Sequence, residues 1–180
     1  MAEIKSTLEL ALERTRGMVI SEAEKQEIKK KERSQRAMGF FHRYREGTVL
    51  LTELLREIDK MEGETAERVK EILLVRWIDA ISLGGENEKI LRGIEALKGK
   101  PVRTAQEKLD RLLAQCQGKK DAFEREQTTK MLENLKKEGI HGDAIVPNIQ
   151  GSTTWKIFSE ALERDFQKKI QEVKEDLKTL

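Results

Sequence analysis

Apolar residues recur at intervals of three and four along almost the whole of this 180-residue chain, and nowhere do they alternate with polar residues as a half-buried strand requires. With 2 Pro, 8 aromatic residues (5 Phe, 2 Trp and 1 Tyr) and a composition led by Glu, Lys, Leu, Ala, Arg and Gln, nothing opposes that period. The chain therefore reads as all-α: one domain over 1–180, built as an elongated bundle of five or six helices, its long helices coiled-coil-like. Ile4, Leu8, Ala11, Thr15 and Met18 form the first stripe, which Gly17 weakens. Ser21 and Glu24 then have the spacing of a capping box, in which each side chain satisfies the other residue's free backbone N–H. The stripe returns at Ala37, Phe41, Tyr44, Thr48, Leu51, Leu55 and Ile58, with Gly39 and Gly47 marking a bend or a close crossing within it.

Gly63 ends that stretch, and a helix is expected from Glu64 to Leu83. Nine of the twelve residues from Ile72 to Leu83 are apolar, so this helix should lie at the centre with others around it. Gly84 and Gly85 close it, and a shorter helix follows over 86–98 before Gly99-Lys100-Pro101. Thr104 and Glu107 have capping-box spacing for the next helix, which carries Ala105, Leu109, Leu112 and Cys116 and stops at Gly139. Ser152 or Thr153 caps the last helix, whose face is Trp155, Phe158, Leu162, Phe166, Ile170, Val173, Leu177 and Leu180.

Three segments depart from this plan. Over 21–36 only Ala23 and Ile28 are apolar, and over 118–130 the stripe fades to Ala122 and Phe123. Helices this polar are not held by their own burial, so both stretches are expected to protrude as arms or to mediate self-association. The third segment, GIHGDAIVPNIQG over 139–151, holds three of the twelve glycines and one of the two prolines yet is too apolar for a floppy linker. It reads as an ordered irregular loop packed over the helices.

Candidate chemistry is sparse. Lys29, Lys30, Lys31, Arg33, Arg36, Arg43 and Arg45 stand against a single Glu over 29–45, and Phe40, Phe41 and Tyr44 lie among them. Cations for phosphates interleaved with rings for bases is a nucleic-acid pattern, although the helical spacing of the rings favours the core. Gly93 to Lys100 is not a phosphate loop, because five residues separate its glycines and Pro101 follows the lysine. His42 and His141 are the only imidazoles, and Glu138 with His141 makes just one of the two Glu-x-x-His pairs that a di-iron site requires. No metal or other cofactor is expected. The lone Cys116 sits on an apolar stripe as a small buried thiol, and drawing it together with His141 and Asp143 as a nucleophile has no support in their spacing. Within the loop, His141, Asp143 and Asn148 are the candidates for a small-molecule contact, against a competing role in turns. Arg76 and Asp79, three apart, are placed to pair with each other in the most apolar helix.

The segment GIHGDAIVPNIQGSTTW, 139–155, preceding an amphipathic helix, resembles one in uncharacterised bacterial helical proteins; the resemblance implies a bacterial source and brings no known activity with it. No apolar run approaches the roughly 20 residues of a membrane span, and the acidic amphipathic stretch after Met1 does not read as a secretory leader. One cysteine forms no internal disulfide and suits a reducing compartment. The expectation is a non-enzymatic cytoplasmic protein that acts by binding protein partners or itself; the alternative is nucleic-acid binding through 29–45.

Overall fold

A computed structural model describes residues 21–140, 142 and 144–180. Among the described residues there are six helices and no strand: α1 (Glu22–Arg45), α2 (Leu51–Asp59), α3 (Gly63–Ala80), α4 (Asn87–Lys98), α5 (Arg103–Lys137) and α6 (Thr153–Thr179). The all-α bundle read from the periodicity is thus what the described residues form. No helix among these residues is long and apolar enough to cross a membrane. The first stripe, Ile4 to Met18, lies outside the described residues, as do His141 and Asp143.

α3 is the hub, touching α1, α2, α4 and α6. Its Val69, Leu73, Trp77 and Ile78 are buried among Phe40, Phe41 and Tyr44 of α1, Leu54 and Ile58 of α2, Ile90 and Ile94 of α4, and Ile170, Val173 and Leu177 of α6. The apolar density of its second half has this consequence: a helix surrounded on several sides can spare few polar positions. α4 crosses so closely at Gly93 that a Cβ there would lie 2.7–2.9 Å from three carbons of the Trp77 indole.

Several boundaries differ from the sequence reading. The stripe from Ala37 to Met61 is two helices, because Gly47 at φ +75° gives α1 a left-handed end. There the Gly47 N–H donates to the Tyr44 carbonyl and the Thr48 N–H to that of Arg43, the paired bonds of a Schellman turn. α3 stops at Ala80, not Leu83, because the buried Asn87 side chain replaces the helical partners of Ser82, accepting from its N–H at 3.1 Å and donating to its carbonyl at 2.7 Å. α5 starts at Arg103 with no side-chain cap, so the Thr104–Glu107 box is not formed; Glu107 pairs with Arg103 instead. Arg76 and Asp79 are both exposed and no ion pair joins them. The Asp79 carbonyl accepts from Lys174 Nζ at 2.7 Å, a cation at the negative end of α3. The boxes expected at Ser21 and Ser152 do cap their helices, Ser21 with Glu24 in full and Ser152 by accepting from the Trp155 N–H.

Beyond the main core, α5 and α6 run on as an antiparallel pair. Cys116, Leu162 and Phe166 make a second small core. Farther out, Phe123 stacks on Phe158 with ring centroids 3.9 Å apart and Trp155 beside both. The irregular connection packs on this arm through Ile149, which is buried, while Ile140 and Val146 face solvent. Among its described residues the loop is anchored most deeply at Ile149, with Ile145 and Pro147 half-buried, and is not covered along its length.

Candidate functional site

Among the described residues, the part least accounted for by packing is the first half of α1. Every residue from Ser21 to Glu32 is exposed, and burial begins only at Ala37. An isolated helix of that length is marginal in water. Here it is the continuation of a packed helix, closed at its start by the Ser21–Glu24 box and braced by Lys25–Glu22 at 2.7 Å. The Ser21 backbone N–H and hydroxyl hold the Glu24 carboxyl below its ordinary range. At a rise of 1.5 Å per residue, Glu22 to Glu32 extends about 16 Å.

Charge is polarised along this rod. Glu22, Glu24 and Glu27 against Lys25 make its start acidic, whereas Lys29, Lys30, Lys31, Arg33 and Arg36 against Glu32 make the following segment basic. Ile28, 46% exposed, sits at the crossover. Arg33 marks where the rod meets the body, reaching Glu64 at the start of α3 at 3.2 Å. Arg36 lines a cleft of about 650 Å³ with Lys29, Lys60, Glu57 and Glu62, so the groove is of mixed sign.

The remaining members of the basic stretch are elsewhere and engaged. Arg43 holds Glu57 of α2 by two hydrogen bonds, 3.1 and 3.0 Å, which lowers the Glu57 carboxyl pKa. Its guanidinium lies 5.9 Å from the Phe40 ring centre, and that of Arg45 lies 5.7 Å from Phe41. Phe40, Phe41 and Tyr44 are buried, and the Tyr44 hydroxyl donates to the Lys89 carbonyl at 2.8 Å. The structure therefore places Lys29, Lys30 and Lys31 on the exposed rod and Arg33 and Arg36 where the rod meets the body, while Arg43, Arg45 and the buried rings lie farther along α1.

In the loop, Asn148 Oδ1 accepts from the Gly151 N–H at 3.0 Å, a turn-forming bond just before the cap of α6. Cys116 is a buried free thiol between α5 and α6. Among the described residues no three His, Cys, Asp or Glu side chains converge as metal ligands would. Sequence reasoning missed the exposed apolar side chains of the arm, Met131, Ile140, Val146 and Ile157. Ile157 was the detectable one, since it lies off the face traced by Trp155, Phe158 and Leu162. No family model, curated protein or solved structure matches the chain.

Proposed function

We propose that this is a non-enzymatic interaction or scaffold protein of the bacterial cytoplasm, presenting the free half of α1 to a protein partner. The observation that supports the reading is the continuous exposure of Ser21 to Glu32 on a helix whose other end is fixed in the core. A helix held rigid at one end loses little freedom when a partner covers the other, so less of the contact energy is spent on ordering. The exposed apolar residues of the arm offer a second, separate contact. The single buried thiol suits a reducing compartment.

Nucleic acid is the alternative partner. With the three rings of the basic stretch buried, it would be held through phosphates alone, a contact without base stacking. The test is affinity capture from native lysate with the wild-type chain, with K29E/K30E/K31E, and with V146S/I157S, each eluate analysed for proteins and nucleic acid. A protein retained by the wild type and lost from a surface variant supports the reading; identical protein recoveries from all three contradict it.

A further inference from the structure

We infer that the free half of α1 pairs with the same segment of a second copy of this chain, antiparallel, with the acidic start of each rod lying along the basic segment of the other. This rests on the interaction reading and names its partner. Three observations carry it. The stretch from Ser21 to Glu32 is exposed in every residue, so nothing in its own described fold competes for it. Its net charge changes sign along its length: residues 22–27 sum to −2 and residues 29–32 to +2. A second copy laid antiparallel about the crossover places opposite charges together along both segments, whereas a parallel copy places like charges together. Ile28, the sole branched aliphatic residue of the stretch, falls at that crossover, where the two copies meet and an exposed side chain gains cover on both sides.

The electrostatic terms fix the character of the association. A contact about 16 Å long between two single helices falls in the small, transient class of interfaces. Exposed charges provide most of its selectivity, so it is weakened by salt. Orientation is set by charge order and not by packing. Reversing the order in both segments therefore preserves the pairing, while reversing one segment destroys it.

Sedimentation equilibrium of the full chain tests this at 50 mM and 500 mM NaCl. The wild type is expected to dimerise at 50 mM and to do so at least about tenfold more weakly at 500 mM, as screening of exposed charges requires. Both E22K/E27K and K29E/K30E/K31E are expected to be monomeric, and the five substitutions combined to dimerise again. Glu24 is kept in all variants because it caps α1, and circular dichroism at 222 nm checks that each remains folded. A wild type that is monomeric throughout, or a dimer unaffected by either reversal, overturns the proposal. So does retention of a DNA or RNA duplex by a monomeric wild type that K29E/K30E/K31E abolishes and the five-fold variant does not recover, since a polyanion has no use for the acidic segment. If self-association fails while the capture experiment still yields a protein lost with K29E/K30E/K31E, the interaction reading stands and only the identity of the partner falls.

Discussion

Gly93→Ala adds one methyl group at the closest approach between α4 and α3. In an exposed helix interior the change from Gly to Ala stabilises by about 0.8–1.0 kcal/mol. At Gly93 the new Cβ would meet three indole carbons of Trp77 at 2.7, 2.8 and 2.9 Å. The ring is 1% exposed and lies against Tyr44 with centroids 5.3 Å apart, so it is held within the core. Overpacking of this kind costs about 1–3 kcal/mol; because such measured costs already contain modest backbone gains, we expect a net loss of about 1–2 kcal/mol. For a chain of this size that lowers Tm by roughly 2–8 °C. Gly118→Ala is the matched control, since nothing lies within 4 Å of its Cβ position inside α5. It should gain about 0.5–1 kcal/mol from the same backbone effect. Thermal and urea unfolding, followed by circular dichroism and by indole fluorescence, gives both values. Equal stabilisation by the two substitutions would refute the close crossing of α4 on Trp77.

Asn87→Ala removes both side-chain bonds that hold Ser82 at the end of α3, leaving partly buried backbone groups unpaired. A urea-unfolding loss of about 1–3 kcal/mol is expected, and an unchanged midpoint would mean that the turn is held by something else. Phe123→Ala removes one ring of a half-buried stack and should cost about 2 kcal/mol, less than the 3–5 of a core truncation. Hydrogen exchange should rise in the outer parts of α5 and α6 and stay unchanged in α3, whereas a uniform rise would join the arm to the main core as one cooperative unit. Glu57 and Glu163 are held below the ordinary carboxyl value of 4.5 by hydrogen bonds from Arg43 and Lys120 respectively. The unfolded chain thus binds more protons, so their contribution is complete above about pH 4.5 and is lost as pH falls through the lower folded-state values. Glu163→Gln should flatten the fall in Tm between pH 7 and pH 3, and an unaltered slope would exclude that role.

How much of this was legible in the sequence depends on whether a feature is local. The helical class, the central place of α3, and the caps at Ser21 and Ser152 follow from period and spacing, which a few neighbouring residues determine. The break at Gly47 was not legible as a break, because the apolar spacing runs through it unbroken and only the left-handed turn reveals the stop. The end of α3 at Ala80 depends on Asn87, seven residues later, and the pairing of Arg43 with Glu57 crosses between helices. The capping box proposed at Thr104 has the right letters, but Val102 takes the cap position. At the surface, spacing placed Phe40, Phe41 and Tyr44 in the core and left Lys29, Lys30 and Lys31 outside. What spacing does not carry is that Arg33, within the polar stretch, is partly covered where Glu64 at the start of α3 meets it.

The copy-to-copy pairing of α1 is tested most directly by a cross-link at its crossover. In a Cys116→Ala background, so that no native thiol competes, Ile28→Cys is oxidised at 50 mM NaCl alongside Gln117→Cys, an exposed position on α5. A disulfide bridges only residues whose Cα atoms come within about 7 Å. Rapid formation of a covalent dimer through position 28, suppressed at 500 mM NaCl and absent at position 117, is the predicted result. Equal, slow cross-linking at the two positions would contradict it.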